Sequence, residues 1–140
     1  METNVKLIDQ VTFEATSGTG HSIVIDGPIE AGGNNRGPRP MEMLLMGLGS
    51  CTAYDVATIL RKSRQEISEL SLSIEATRSE MDPKVFTSIH IQFDLKGRQL
   101  KEKQVERAIS LSAEKYCSAS IMLGKTAEIT HGFSITDIAT

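Results

Sequence analysis

The sequence has no tryptophan, and aromatic residues make up only 4% of its 140 residues. It also lacks an excess of positive charge, because 18 acidic residues outnumber 15 lysines and arginines and the net charge is −3 at pH 7. A protein that binds the phosphate backbone of nucleic acids needs a basic stripe, so the composition argues against nucleic-acid binding. The length indicates a single domain over residues 1–140, with a core of aliphatic side chains and methionine.

Cysteine and histidine are scarce as well. The two cysteines form no Cys-x-x-Cys motif, and His21, His90 and His131 are scattered without the spacing of metal ligands, so we expect no metal centre. Two cysteines do not make the disulfide framework of a small secreted protein. The first six residues lack the basic start and apolar core of a signal peptide, and we therefore expect a cytoplasmic protein.

The longest apolar stretch runs from Met41 to Leu60, but Glu42 and Asp55 interrupt it. A membrane span needs ~20 mostly apolar residues with few charges, so this stretch predicts a buried helix over 40–62 and no contact with a membrane. Its apolar residues lie on nearly every helical face, and one small domain cannot cover all of them. We therefore expect a homodimer in which a second subunit covers part of the helix.

The remaining pattern predicts an α+β fold in the order β-β-α-β-β-α-β. Period-two alternation of apolar residues indicates strands, and Gly-rich or Pro-rich segments indicate turns. The predicted strands are 5–13, 21–26, 70–77, 85–95 and 127–135; the helices are 40–62 and a second one ending near 117; a loop spans 26–40.

Cys51 lies in the middle of the first predicted helix, where a free cysteine is often no more than a small buried hydrophobe. A reactive thiol needs a pKa below its ordinary value of about 8.5. Asp55 follows one turn later and opposes a thiolate, so a reactive Cys51 requires a nearby cation. Cys117, near the end of the second predicted helix, is open to the same two interpretations.

Residues earlier in the chain are candidates for assisting Cys51. Arg39 and Glu42 precede it by twelve and nine positions, which is about 18 Å and 13 Å along a straight helix. Neither reaches Cys51 of its own chain in that geometry. If the helix pairs antiparallel with its twofold mate near Gly47, Glu42 of one chain lies level with Cys51 of the other. We therefore predict a composite site across the dimer interface.

Two segments carry a resemblance to a known family. The first is Pro38-Arg39-Pro40-Met41-Glu42-Met43-Leu44-Leu45 running into Gly49-Ser50-Cys51-Thr52-Ala53-Tyr54-Asp55-Val56, and the second is Glu114-Lys115-Tyr116-Cys117-Ser118 followed by Met122-Leu123. They resemble the osmotically inducible protein C / organic hydroperoxide resistance family (OsmC/Ohr), and the Pro-Met-Glu run with Cys-Thr-x-x-Asp-Val resembles its YhfA-like branch. The resemblance implies an intertwined homodimer with two long central helices flanked by antiparallel sheets.

The resemblance also implies a mechanism. Cys51 would reduce an organic hydroperoxide and become a sulfenic acid, Cys117 would form a disulfide with it, and a dithiol would restore the pair. An arginine would stabilise the thiolate and a glutamate would orient the arginine, with no metal or organic cofactor. Arg36 and Arg39 both qualify for the first role, and the motif spacing favours Arg39. Met41 stands at the family's glutamate position, and Glu42 is one step away, a rotation of ~100° on a helix.

These observations predict a thiol-dependent peroxidase for organic hydroperoxides. A non-catalytic small-molecule-binding or redox-sensing protein on the same scaffold is the alternative, favoured by Met41 and by Asp55 beside Cys51. A hydrolase with Cys51 as nucleophile lacks a suitable histidine base.

Overall fold

A computed structural model describes residues 1–138 of the chain. The chain divides into two compact units, Met1–Met46 and Gly47–Thr140, which are described separately below.

The first unit contains a three-stranded antiparallel sheet in the order β1-β2-β3. Its strands are β1 (Thr3–Asp9), β2 (Thr12–Ser17) and β3 (Ser22–Asp26), followed by a 3₁₀ turn at Ile29–Ala31. The Gly-rich segment Ser17-Gly18-Thr19-Gly20 forms the turn between β2 and β3, where the Gly20 N–H donates to the Ser17 carbonyl at 3.0 Å.

The prediction of one strand over 5–13 was wrong, because the chain reverses inside that range. Gln10 adopts a left-handed conformation with φ of 44°, and Leu7 pairs with Phe13 across the hairpin. The alternation of apolar residues continues through both strands, so its period did not reveal the turn. Three strands rather than two therefore precede the first helix.

Asp26 organises the loop that follows the sheet. It is fully buried at the end of β3, where its Oδ1 accepts a hydrogen bond from the Thr12 hydroxyl at 2.8 Å. Its Oδ2 accepts from the backbone N–H groups of Asn34 at 3.0 Å and Arg36 at 3.1 Å. Gly33 lies in the same loop, and a Cβ there would sit 1.9 Å from the Gly27 carbonyl oxygen. The carboxylate thus fixes the loop that carries the candidate arginines.

Burial raises the pKa of Asp26, but the hydrogen bonds from Asn34, Thr12 and Arg36 outweigh it and hold the pKa below its usual value of 3.8. A group with a lowered folded-state pKa contributes stability above its unfolded-state pKa and loses that contribution as the pH falls through the folded-state pKa.

We predict that Asp26→Asn lowers the denaturant midpoint at pH 7, because one of the two oxygens becomes an NH₂ donor facing groups that are themselves donors. The difference from the wild type should shrink as the pH falls below about 4. Urea unfolding between pH 7 and pH 3 measures it. Asp9→Asn, at an exposed carboxylate in β1, is the control and should leave the midpoint unchanged; an equal loss in both variants contradicts the role of Asp26.

Helix α1 spans Pro40–Lys62, as the apolar run predicted. Its fully buried residues lie four positions apart on one narrow stripe: Leu48, Thr52, Val56 and Leu60. Apolar residues outside the stripe remain exposed, including Tyr54 at 73% and Met46 at 50%. The helix is long and apolar enough to cross a membrane by length and composition alone, a weak indication because core helices of soluble proteins pass the same test.

The second unit contains the sheet β4-β5-β6, formed by β4 (Glu66–Arg78), β5 (Phe86–Arg98) and β6 (Glu128–Asp137). Strands β4 and β5 are antiparallel, whereas β5 and β6 are parallel. The expectation of purely antiparallel sheets was therefore wrong for this unit. A parallel pair needs a long crossover connection, and the segment between β5 and β6 supplies it.

Alternate residues of β5 form the centre of this unit's core, as the period-two pattern predicted. They are fully or almost fully buried: Ile89, Ile91, Phe93 and Leu95. One face of the crossover helix contributes further buried residues: Val105, Ala108 and Ile109.

The crossover has three parts rather than the single predicted helix. Helix α2 covers Glu102–Leu111, a π-helical turn covers Ser112–Tyr116, and helix α3 covers Ser118–Leu123. Cys117 separates the last two with an extended backbone, φ −80° and ψ 103°. The helical signal does end near 117 as predicted, but α3 was missed.

Candidate active site

The two cysteines and Asp55 meet in the second unit. One ligand-type atom of each residue, the two sulfurs and a carboxylate oxygen, lies within 4.8 Å of the others. Cys51 and Asp55 are one turn apart on α1, so their side chains lie on the same helical face. Cys117 reaches them from the crossover, 66 positions after Cys51 in sequence. Both cysteines are free thiols in the structure, at a separation suited to thiol redox chemistry.

The backbone around Cys117 holds its sulfur in place. The Cys117 N–H donates to the Ser112 carbonyl at 2.8 Å and closes the π-helical turn, a feature often found at functional sites. Its sulfur then caps α3 by accepting from the Ser120 N–H at 3.4 Å. The Thr52 hydroxyl of α1 lies 3.5 Å from the same sulfur. Cys117 is also fully buried. Its backbone N–H is held by Ser112, and its sulfur is held by Ser120 and Thr52.

These contacts shift the pKa values of the two thiols in opposite directions, down for Cys117 and up for Cys51. Burial raises the pKa of Cys117, but hydrogen bonds from Cys51, Ser120 and Thr52 outweigh it and hold that pKa below its ordinary value. A thiolate at a helix N-terminus is stabilised in the same way in other proteins.

Cys51 is only half-buried, yet its pKa is raised. Burial is the largest cause, followed by the hydrogen bond that the Cys51 thiol donates to Cys117. The charges of Cys117 and Asp55 raise the pKa further by smaller amounts. A hydrogen bond from the Ala119 N–H acts in the opposite direction and lowers it. The charge of Asp55 thus acts in the predicted direction, against a Cys51 thiolate, as the smallest of these causes.

Asp55 is oriented by the crossover and open to solvent on one side. Its Oδ2 accepts from the Ser112 hydroxyl at 2.9 Å. It also lines a cavity of about 580 Å³ together with Lys62, Arg107 and Tyr116. Within residues 1–138 no lysine or arginine lies within 4 Å of the Asp55 carboxylate, since the two ion pairs there are Lys96–Glu69 and Arg98–Glu66. The Asp55 carboxylate thus has no ion-pair partner in the part of the chain that is described.

The other candidate residues belong to the first unit. Arg36 is exposed, and its backbone rather than its guanidinium contacts Asp26. The Arg39 side chain donates to the Gly37 carbonyl at 3.3 Å. Glu42 accepts from the Arg39 backbone N–H at 2.8 Å, so it caps the start of α1. The roles of Arg36, Arg39 and Glu42 toward Cys51 stay predictions.

Three hydroxyl residues of the site were missed by sequence reasoning. Thr52, Ser112 and Ser120 contact either Cys117 or Asp55 and are buried in the core. Thr52 had a weak signal, because it lies on the buried stripe of α1 between apolar residues. Ser112 had a weak signal too, because it lies on the apolar face of the second predicted helix, whereas Ser120 had none.

The family model described as OsmC-like protein matches residues 32–132, which include both cysteines and Asp55. The chain belongs to the OsmC-like protein family. Protein YhfA of Escherichia coli strain K12 is 42% identical over 135 residues, covering 96% of this chain and 98% of the relative.

Solved structures share the OsmC-like fold. A hypothetical protein from Aquifex aeolicus VF5 superimposes with a TM-score of 0.86 at 30% identity, covering 99% of this chain and 97% of its own. An organic hydroperoxide resistance protein OsmC from Legionella pneumophila superimposes with a TM-score of 0.72 over 96% and 97% of the two chains, at 15% identity. The second likeness concerns the fold alone.

We predict that Asp55→Asn speeds alkylation of Cys51 at neutral pH, because it removes a negative charge that raises the Cys51 pKa while its side-chain oxygen still accepts from Ser112. Iodoacetamide labelling of the reduced, chelator-treated protein, resolved by peptide mass spectrometry, gives the rate at each cysteine. Asp94→Asn is the matched control, since Asp94 also accepts a serine hydroxyl, from Ser134. An unchanged Cys51 rate in Asp55→Asn would show that the carboxylate has no electrostatic influence on the thiol.

Proposed function

We propose that this OsmC-like protein is a thiol-dependent peroxidase that reduces organic hydroperoxides. The observation that supports it most is the approach of the Cys51 and Cys117 sulfurs to within 4.8 Å of each other in the reduced chain. A disulfide needs a separation of about 2.05 Å between the sulfurs, which side-chain rotation can supply when the two elements already face each other. Two cysteines that only fill space in a core do not need their sulfurs to lie this close together.

The reaction proceeds in three steps: reduction of the peroxide, formation of the disulfide and reduction of the disulfide. The Cys51 thiolate attacks the terminal peroxide oxygen, the O–O bond breaks, and the alkoxide takes up a proton and leaves as an alcohol. The sulfenic acid on Cys51 is then attacked by the Cys117 thiolate, which forms the disulfide and releases water after protonation. An external dithiol reduces the disulfide, and the two electrons taken up by the peroxide are thereby replaced. The lowered pKa of Cys117 suits the second step.

The first step needs a cation beside Cys51, and we assign it to a second copy of the chain. In a homodimer that pairs through α1, the loop held by Asp26 would bring Arg39, or Arg36 as the alternative, to the partner's Cys51, with Glu42 beside it. The apolar surface that α1 leaves exposed supports this pairing, because monomeric proteins rarely expose large apolar patches. Cellular dithiols keep such thiols reduced, which suits a cytoplasmic location away from membranes.

An organic substrate fits the surroundings of Asp55 better than hydrogen peroxide does. The cavity of about 580 Å³ that Asp55 lines also contains the aromatic rings of Tyr54 and Tyr116 and the aliphatic side chains of Ile59 and Leu111. Sites for small organic molecules combine apolar walls with polar groups, and Thr58, Lys62, Ser63 and Arg107 supply the polar part of this lining.

We predict that one equivalent of cumene hydroperoxide per chain consumes both thiols, because the disulfide is the end product without reductant. Thiol titration and intact-mass measurement record the loss of two thiols and of two hydrogens. Cys51→Ser should lose at least ~10³-fold in peroxide consumption, as expected when a nucleophile is removed. Cys117→Ser should react once and stop at a sulfenic acid that dimedone traps. Full activity in Cys51→Ser contradicts the proposal.

We predict that Gly47→Leu weakens the dimer by more than about tenfold, or ~1.4 kcal/mol, while the chain stays folded. A Cβ at Gly47 meets no atom within 4 Å among residues 1–138 outside its own helix backbone, so the added side chain starts in open space where a partner would pack. Sedimentation velocity with circular dichroism measures both properties. Gly49→Leu is the contrasting variant, because a Cβ there would lie 2.8 Å from Ile74 Cδ1 and destabilise the chain itself. A Gly47→Leu dimer as tight as the wild type would place the interface elsewhere.

A redox-sensing or small-molecule-binding protein is the second candidate, favoured by the raised pKa of Cys51. Turnover separates the two functions. A sensor forms the disulfide once per oxidation and is reduced slowly, whereas a peroxidase consumes many equivalents of hydroperoxide when a dithiol such as dihydrolipoamide is supplied.

A further inference from the structure

We infer that the reduced protein binds a thiophilic divalent cation, of which Zn²⁺ is the natural example, through Cys51, Cys117 and Asp55. Three donor atoms from two separate elements lie within 4.8 Å of one another. Tetrahedral zinc holds sulfur at about 2.3 Å and carboxylate oxygen at about 2.0–2.2 Å, which places its ligands roughly 3.5–3.8 Å apart. Small rotamer changes of half-buried Cys51 and Asp55 close the difference.

The donor types select the metal. Two thiolates favour zinc over magnesium or calcium, which take oxygen ligands. Asp55 is already oriented by the Ser112 hydroxyl, as metal-bound carboxylates are by their outer hydrogen-bond partners. Three protein ligands leave the fourth position to water, and the solvent cavity beside Asp55 gives the hydrated ion a path of entry.

The charges of the cluster also favour binding of a divalent cation. Two thiolates and a carboxylate carry three negative charges when ionised, and among residues 1–138 no ion pair reaches this carboxylate. Lys62 and Arg107 line the same cavity beyond ion-pair distance of Asp55. A dication binds where these charges converge and displaces two thiol protons as it does so.

Local sequence spacing did not indicate this site, because the expectation of no metal centre rested on the missing Cys-x-x-Cys motif and on the histidine spacing. Its third ligand lies 62 positions after Asp55 and joins the cluster only in the fold. If the proposed peroxidase function holds, metal and peroxide compete for one dithiol. The zinc dithiolate, one hydroperoxide and two protons then yield the disulfide, an alcohol, water and free Zn²⁺, with the two thiolates oxidised and the peroxide reduced.

The test is a titration of the reduced, full-length protein with ZnCl₂ under argon against a chromophoric chelator. We expect one ion per chain, and we expect the disulfide form to bind none. Asp55→Asn should weaken binding by at least the roughly 10–100-fold that losing an outer partner causes. Asp94→Asn should bind as the wild type does. Equal affinity in Asp55→Asn and the wild type, or in the oxidised and reduced forms, overturns the proposal.

Substitutions of Cys117 can prevent folding, because the residue is fully buried. A spectroscopic measurement on the wild type therefore tests its role as a ligand without a variant. X-ray absorption of the zinc-loaded wild type should give two sulfurs at about 2.3 Å and nitrogen or oxygen ligands at about 2.0 Å. A shell with one sulfur or none refutes the site. Zinc binding without hydroperoxide consumption would support the metal site and contradict the peroxidase function. Hydroperoxide consumption without zinc binding would support the peroxidase function and contradict the metal site.

Discussion

The contact between the Thr52 hydroxyl and the Cys117 sulfur is the constraint on which the rest of the site depends. Both groups are fully buried, and a buried polar group without a partner costs about 1–3 kcal/mol, so α1 and the crossover are held in one register. That register places Cys51, one step before Thr52, and Asp55, three steps after it, against the same sulfur. The distances of the cluster thus follow from a hydrogen bond in which one residue, Thr52, performs no chemistry itself.

The sequence patterns that predicted the fold well were those with a clear period and one buried side. Strand β5 alternates buried and exposed residues along most of its length, and α1 begins at Pro40, where a missing N–H suits the first turn. The failures have a common cause. A period of two does not change when a strand reverses at Gln10, and it does not show that β6 runs parallel to β5. Direction and reversal depend on turn geometry and on crossover packing, which alternation does not encode.

The site could be predicted in part for similar reasons. Cys51 and Asp55 are one helical turn apart, so their proximity and their electrostatic opposition followed from α1 alone. The partnership of Cys117 rested on family resemblance, because no local rule relates residues 66 positions apart. The π-helical turn that positions Cys117 has no sequence signal that we recognise. The spacing of Ser112 placed it on the apolar face of the second helix but did not indicate its partner Asp55, and Ser120 had no signal. The matched family and the shared fold support the resemblance, while the enzymatic activity rests on the proposal.

The parallel pairing of β5 with β6 has a consequence for where the site lies in the chain. Parallel strands of one sheet cannot be joined by a tight turn, so the chain must run from β5 to β6 through α2, the π-helical turn and α3. Cys117 sits inside that connection. The thiol that pairs with Cys51 therefore belongs to the one connection that the parallel arrangement of β5 and β6 requires, so the topology of the sheet and the position of the site share a single segment of chain.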